Sequence, residues 1–275
     1  MQKRQVTSNR LIVNAGIIEW YQKELKKLAK QMSDECYKEI TGIYKELGYQ
    51  VEFATDESIS SQIRIALNSL YNKFSDKFSK NAKDLVKRLI NRTNKYSNML
   101  INNAIKKMVG ADNSKNFALI GSAISPQKEE VIKALIFDNV TLIKSISEEY
   151  FKQITGAIAR SIESGSGLKE LRDELLSYGA KSVRRADLIA QDQTRKAFTA
   201  INKINFQEAG IKKFKWLHSG GSREPRKYHM EVLNGQIFDI DEGAPNESGK
   251  KPDYIFPAEL PYCRCVMQAV LDFEE

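Results

Sequence analysis

Long apolar runs are missing from this sequence of 275 residues, and cysteine, histidine and proline are scarce. No hydrophobic stretch approaches the roughly 18–20 residues that a membrane-spanning helix needs, so the sequence predicts no membrane partner. The three cysteines are too few, and odd in number, for the disulfide framework of a small secreted protein. We therefore expect synthesis in a reducing, intracellular setting.

The common catalytic motifs are also missing. No Gly-rich phosphate loop, nucleophile elbow or zinc-protease pattern occurs. Acidic residues at 239–242 follow His229, but they fit a solvated turn that ends at Gly243 better than a carboxylate pair at catalytic spacing. We predict a protein that is not an enzyme. The alternative is a metal-dependent nuclease or toxin-like hydrolase that uses His229 with Cys263 and Cys265.

Positive charge is in excess, with 43 Lys and Arg against 35 Asp and Glu, which gives a formal net charge of +8. Such an excess favours a polyanionic partner, such as nucleic acid or an acidic protein surface. A solvated basic face that only keeps the protein in solution is the alternative interpretation.

The N-terminal part of the chain has the pattern of long helices. Between Gly48 and Gly110 there is neither glycine nor proline, and apolar residues recur at steps of three and four over residues 59–100. Residues 11–47 repeat this pattern and predict a partner helix that Gly48 would terminate. Cys36 lies on the apolar stripe of that segment, so we expect it to fill the core.

The C-terminal part mixes helices with short strands. Ser125-Pro126 is typical of a helix start, and the predicted helices cover residues 126–161, 168–176 and 181–209, with Gly179 and Gly210 as stops. Strands are predicted at 213–217, 236–240 and 266–270. The expected fold is α+β and mostly helical: long N-terminal helices precede a C-terminal module of helices and a small antiparallel sheet. We divide the chain into a helical region, 1–115, and this α+β module, 116–275.

One flank of the predicted long helix is strongly basic, with ten Lys and Arg against two Asp over residues 73–107. Lysines on a rigid helix can meet phosphates at regular intervals, so this flank is a candidate for double-stranded DNA or for the acidic surface of a partner protein. A solubilising face is the alternative. The candidate binding residues are Lys73, Lys77, Lys80, Lys87, Arg88, Arg92 and Lys95.

A Cys-x-Cys pair, Cys263 and Cys265, lies near the end of the sequence. The two histidines, His218 and His229, both lie within fifty residues of it. Side chains at i and i+2 of a strand point to the same side, so Cys263 and Cys265 could both face His229. Two thiolates with one or two imidazoles suit zinc, although structural zinc sites usually have at least two residues between paired cysteines. Three alternatives remain open: a zinc site of His229, Cys263 and Cys265, a buried structural pair, and a disulfide.

Five segments in a fixed order resemble the phage Mu protein F-like family of minor head, or head morphogenesis, proteins. They are the Ala- and Arg-rich helix at 185–195, the stretch from Gly210 to Trp216, Arg226-x-x-His229, Leu233-Asn234-Gly235-Gln236, and Pro261-Tyr262-Cys263-Arg264-Cys265. The resemblance covers about residues 140–272. The long basic helix lies outside it.

Two positions depart from the family pattern. The family commonly has an aspartate between the tryptophan and the Arg-x-x-His, whereas residues 217–223 contain no acid. Tyr262 stands where an asparagine usually precedes the Cys-Arg-Cys. A structural role tolerates both departures more easily than a catalytic one.

The resemblance implies a low-copy component of the virion, at the portal vertex or in the head interior, that passes through the host cytoplasm during assembly. The implied role is to assist capsid assembly and DNA packaging or delivery. The implied partners are the portal protein, the major capsid or scaffold proteins, and double-stranded DNA. The residues that carry the resemblance are Trp216, Arg226, His229, Gly235, Gln236, Pro261, Cys263, Arg264 and Cys265.

Overall fold

A computed structural model describes residues 4–46, 59–110, 118–164, 167–221 and 224–273. The elements in chain order are β1 (Arg4–Thr7), α1 (Ala15–Glu46), α2 (Ile59–Val109), α3 (Pro126–Ser164), α4 (Gly167–Glu208), β2 (Lys213–Leu217), a π-helical turn (His229–Leu233), β3 (Ile237–Asp239), β4 (Ala244–Pro245), β5 (Tyr254–Ile255) and β6 (Val266–Phe273). The predicted α+β class, with long helices followed by a small antiparallel sheet, is confirmed.

The helix starts and stops follow local chemistry. The Ser125 hydroxyl accepts a hydrogen bond from the Lys128 amide at 3.2 Å, so Ser125 caps α3 as predicted. After α4 the chain makes a Schellman motif: Gly210 has φ +75°, and the Ile211 amide donates to the Phe206 carbonyl at 2.8 Å. Gly48, the predicted stop of the first helix, lies outside the described residues.

Two expectations about the helices change. Residues 167–208 form one helix, so the predicted break near Gly179 was wrong. A Cβ on Gly179 would lie 3.0 Å from the Cβ of Ser33, so this glycine allows close packing of α4 on α1 and does not end a helix. Residues 91–94 are weak helix formers that favour a kink, yet helix α2 is continuous through them.

The main sheet has four antiparallel strands in the order β1-β6-β2-β3, and β4 pairs with β5 in a separate ribbon. Residues of β2 alternate between half-buried and buried, so Phe214 and Trp216 share the inner face. The N-terminal strand β1 was not predicted; its Val6 pairs with Leu271 of β6. Ser8 extends this contact, since its amide donates to the Ala269 carbonyl at 2.9 Å.

The chain forms two compact units, and each is assembled from separate segments. The first contains residues 1–18, 88–136 and 191–275, and hence both sheets. Its core packs the inner face of the main sheet against helical side chains. The core includes Leu11, Ile101, Ile105, Phe198, Phe206, Phe214, Trp216, Met267, Ala269 and Leu271.

The second unit contains residues 19–87 and 137–190 and is helical. Cys36 is fully buried in this unit, as expected for a core residue, and burial raises the pKa of its thiol to about 12. The predicted division of the chain at residue 115 stays a prediction. None of the described helices is long and apolar enough to cross a membrane.

A buried polar network joins the helices of the first unit. The Lys128 side chain is 1% exposed, and its Nζ donates to Asn205 Oδ1 at 2.5 Å and lies 3.6 Å from Glu208 Oε2. Asn205 Nδ2 in turn donates to the Ser97 hydroxyl at 2.7 Å. Burial lowers the pKa of Lys128, while Glu208 acts in the opposite direction.

Candidate functional site

The Leu233-Asn234-Gly235-Gln236 turn holds the end of β2. The Gly235 amide donates to the Trp216 carbonyl at 2.8 Å, and the Trp216 amide donates to the Gln236 carbonyl at 2.9 Å. The Asn234 side chain accepts a hydrogen bond from the His218 amide at 2.9 Å. Gly235 has φ +84°, a conformation that favours glycine. This turn therefore fixes the backbone from Trp216 to His218.

The π-helical turn presents His229 to the same place. His229 is 3% exposed, and its ring meets the Trp216 indole edge to face with ring centroids 5.1 Å apart. The Met230 amide donates to the Arg226 carbonyl at 3.2 Å, and the Arg226 guanidinium donates to the Pro261 carbonyl at 3.0 Å. The Arg-x-x-His spacing thus places an imidazole inward and ties the segment to the turn before β6.

Residues Leu260–Cys263 form that turn. The Cys263 amide donates to the Leu260 carbonyl at 3.0 Å, Pro261 is the second residue, and Tyr262 has φ +60°. Proline followed by a positive φ is the pattern of a type II turn, which prefers glycine or asparagine where Tyr262 stands. The Tyr262 amide also donates to Asp192 Oδ1 at 2.7 Å. The family's usual asparagine therefore has a backbone reason, and Tyr262 takes up the same conformation at some cost.

Two cysteines and two histidines meet where these segments converge. Cys263 Sγ lies 3.5 Å from His229 Nδ1, and Cys265 Sγ lies 3.8 Å from the same atom. Ligand atoms of His229, Cys263 and Cys265 all lie within 4.8 Å of one another, and all three residues are buried. His218 adds a second imidazole, with Nδ1 3.7 Å from Cys265 Sγ. We call these four residues the Cys–His cluster.

The two thiols shift each other's pKa in opposite directions. The hydrogen bond with Cys265 lowers the pKa of Cys263 against the effect of burial, and His229 lowers it further. The same hydrogen bond, together with burial, raises the pKa of Cys265. All three cysteines are free, so no disulfide links them to one another within the chain.

Arginines lie beside the Cys–His cluster. A pocket of about 360 Å³ next to Cys265 is lined by Arg10, Arg195 and Arg264 together with apolar side chains. Burial and the neighbouring Arg264 charge lower the pKa of Arg195. Arg264 itself is exposed and donates to the Gly221 carbonyl, so the middle residue of Cys-Arg-Cys points away from the sulfurs.

The acidic residues that suggested a nuclease lie in a turn. The Asp241 amide donates to Asp239 Oδ1 at 2.7 Å, and the Gly243 amide donates to the Asp239 carbonyl at 2.9 Å. Asp241 Oδ1 accepts a hydrogen bond from the Gln207 side chain at 2.7 Å. This is the solvated turn that the sequence favoured. Neither Asp239 nor Asp241 belongs to the group of potential metal ligands around His229.

The seven basic candidates all lie on α2, and six are exposed: Lys73, Lys80, Lys87, Arg88, Arg92 and Lys95. Lys77 is half-buried. Lys73 forms an ion pair with Glu35 and lowers the pKa of that carboxyl, so part of its charge is already compensated. Among these candidates, the lysines that are exposed and form no ion pair with the described part of the chain are Lys80, Lys87 and Lys95.

Most residues that carry the family resemblance hold one another. The structure brings together Trp216, His229, Gly235, Gln236, Cys263 and Cys265, and it links Arg226 to Pro261. His218 was not among the predicted metal ligands. The alternation of β2 was the signal for it: Phe214 and Trp216 face inward, and His218 is the next residue of the same parity.

Comparison with known proteins agrees with the motifs. Residues 152–268 match the family described as Phage Mu protein F like protein. The resemblance expected from the sequence is confirmed for these residues, which include the whole Cys–His cluster.

Two curated relatives are also similar to the chain. A Haemophilus influenzae protein described as uncharacterized is 29% identical over 261 residues, which are 93% of this chain and 54% of that protein. The uncharacterized protein YqbB of Bacillus subtilis is 27% identical over 128 residues, which are 43% of this chain and 41% of that protein. The chain spans about half the length of these relatives or less. No solved structure matches it significantly.

Proposed function

We propose that this chain acts as a minor head protein of a phage or prophage. Its place would be the portal vertex or the head interior, where it would assist head assembly and DNA packaging or delivery. The observation that carries this proposal is the Mu F-like match over residues 152–268. Portal, major capsid or scaffold proteins are the expected protein partners.

The geometry of the motif residues supports a structural role over a catalytic one. The Leu233–Gln236 turn clamps Trp216, Arg226 holds Pro261, and His229 packs on Trp216 and Cys263. These residues use their hydrogen bonds to build the module, and Trp216, His229 and Cys263 are buried in it. A module of this kind is suited to docking on another protein, because its surface can vary while its interior stays the same.

Particle analysis tests the proposal directly. The chain should be found by mass spectrometry in purified particles of the phage or prophage that encodes it, at low copy number relative to the major capsid protein. Deleting its gene should give heads that are misassembled, incompletely filled or unable to deliver DNA. Normal particles with normal DNA content and titre, produced without the protein, would contradict the proposal.

We further propose that the exposed basic side of α2 contacts double-stranded DNA. The net charge of +8 and the exposed lysines Lys80 and Lys87 support this. The variant Lys80→Glu/Lys87→Glu should weaken DNA binding and reduce the slope of log K against log salt by about 2, since each lost phosphate contact removes about 0.9.

The matched control reverses two exposed lysines of α1, Lys27→Glu/Lys38→Glu, and changes the net charge by the same amount. It should lower affinity only slightly and leave the slope nearly unchanged. Equal losses in both variants would mean that net charge alone, and not the α2 surface, attracts DNA. Cleavage of the DNA that needs a metal and disappears in His229→Ala would instead favour the nuclease alternative.

A further inference from the structure

We propose that His218, His229, Cys263 and Cys265 bind one zinc ion in a closed, structural site. The inference goes beyond the proposed function, since a head protein requires no metal. It rests on the convergence of two sulfurs and two imidazole nitrogens from three separate segments of the chain. These segments are the residues after β2, the π-helical turn and the residues before β6.

The distances between the ligand atoms fit tetrahedral zinc. With Zn–S near 2.3 Å and Zn–N near 2.1 Å, a sulfur and a nitrogen of one tetrahedron are about 3.6 Å apart. The structure has sulfur–nitrogen distances of 3.5 Å for Cys263–His229, 3.8 Å for Cys265–His229 and 3.7 Å for Cys265–His218. His218 approaches from the Cys265 side, and zinc would draw it toward Cys263.

Burial shows that the cysteine pair is arranged to point inward together. Cys263 and Cys265 are each 4% exposed, while Arg264 between them is exposed. This alternation is that of an extended chain, so the single intervening residue does not prevent both sulfurs from reaching one ion. The short spacing that argued against zinc in the sequence is therefore no obstacle in this backbone.

The surroundings of the sulfurs also suit thiolate ligands. The Trp216 indole nitrogen is buried and has no hydrogen-bond partner that meets normal geometry within the described part of the chain. The indole ring packs against His229, with ring centroids 5.1 Å apart, and lies beside Cys265. Zinc-bound thiolates accept N–H hydrogen bonds, and such outer contacts orient the ligands and tune the metal. A bound zinc would thus give this buried donor an acceptor.

Four protein ligands leave no open position for water or substrate, which distinguishes a structural site from a catalytic one. The ion would cross-link the end of β2 to the start of β6 and to the π-helical turn. Both sulfurs would coordinate as thiolates, so zinc binding would be accompanied by release of protons.

The test uses the full chain, purified under reducing conditions without chelators. Elemental analysis should find about one zinc per chain in the wild type and in Cys36→Ala, the control that removes the cysteine outside the cluster. Cys265→Ser should lose the zinc. His218→Ala should retain a folded chain, since this residue is only half-buried, but bind zinc more weakly by well over tenfold in a chelator competition, because even an outer-shell change costs about 10- to 100-fold.

Titration with Co²⁺ gives a second readout that does not depend on metal acquired in the cell. The wild type should develop the thiolate charge-transfer and visible absorption of tetrahedral cobalt, and Cys265→Ser should not. A folded wild type with neither bound zinc nor this cobalt spectrum would overturn the site. Unchanged zinc affinity in His218→Ala would overturn the assignment of the fourth ligand and leave the position open.

Discussion

Two glycines inside long helices should respond in opposite ways to the same substitution. Gly42 of α1 has open space where a Cβ would be added, whereas a Cβ on Gly179 of α4 would lie 3.0 Å from the Cβ of Ser33. Alanine is favoured over glycine in a helix by about 1 kcal/mol. Gly42→Ala should therefore raise the free energy of unfolding by about that amount.

At Gly179 the same gain is opposed by overpacking, which costs about 1–3 kcal/mol when neighbouring backbones cannot move apart. The net effect of Gly179→Ala should be a loss of up to about 2 kcal/mol. In a Ser33→Gly background the opposing Cβ is gone, so Gly179→Ala should there show its full gain in helix stability. The double-mutant cycle should therefore give a favourable coupling of about 1–3 kcal/mol.

Urea unfolding followed by far-ultraviolet circular dichroism would measure these differences, with Trp20 fluorescence in a Trp216→Phe background reporting on the helical unit. Thermal melting should agree, at roughly 2–4 °C per kcal/mol. If Gly179→Ala stabilises the protein as much as Gly42→Ala, the close approach of α4 to Ser33 does not limit the packing. Close packing on α1 would then not be the reason that α4 carries a glycine at this position.

Three further predictions concern the first unit. Tyr262→Asn should be more stable than Tyr262→Val by about 1–2 kcal/mol in urea unfolding, since asparagine tolerates a positive φ and a β-branched residue does not; equal stabilities would contradict the turn assignment. Gly235→Ala should destabilise by about 1–2 kcal/mol through its φ of +84° alone, because the added Cβ meets no atom, and Trp216 fluorescence would report the loss. Lys128→Met should cost about 1–3 kcal/mol at neutral pH by removing the donor to the buried Asn205 Oδ1. The folded-state pKa of Lys128 is lowered, so its positive charge opposes folding below that pKa. As the pH increases from there toward 10.5, the stability of the wild type should rise relative to that of Lys128→Met. A pH-independent difference in stability would contradict this.

Local patterns predicted most of the fold. Residues 213–217 alternate in polarity and form β2 with those bounds, and Ser125-Pro126 starts α3 because its cap lies within the same few residues. Gly179 led to a wrong helix end because the sequence does not reveal that the Ser33 side chain, on another helix, packs closely against this glycine. Strand β1 was missed for a similar reason. Its partner strand lies far away in the sequence, and its four residues are too few to show a periodic pattern.

The candidate site was likewise predicted only in part from the sequence. The spacing of Cys263 and Cys265 and the scarcity of histidine were enough to group them with His229. The approach of His218 depends on where β2 ends, which the Asn234 side chain sets by accepting the His218 amide. The basic face of α2 was visible in the sequence, but the pairing of Lys73 with Glu35 required the packed helices.

Because β6 lies between β1 and β2, the main sheet can form only after β6 has been synthesised. Val6 leaves the ribosome before the four long helices, yet its partner Leu271 follows only after all four have been made. The segments of the helical unit, by contrast, are all available once Ala190 has emerged. The sheet should therefore close late and slowly, as expected for strands distant in sequence. A nascent chain stalled before β6 would carry a folded helical unit. Its strands β1 and β2 would each expose the edge that β6 pairs with in the complete sheet.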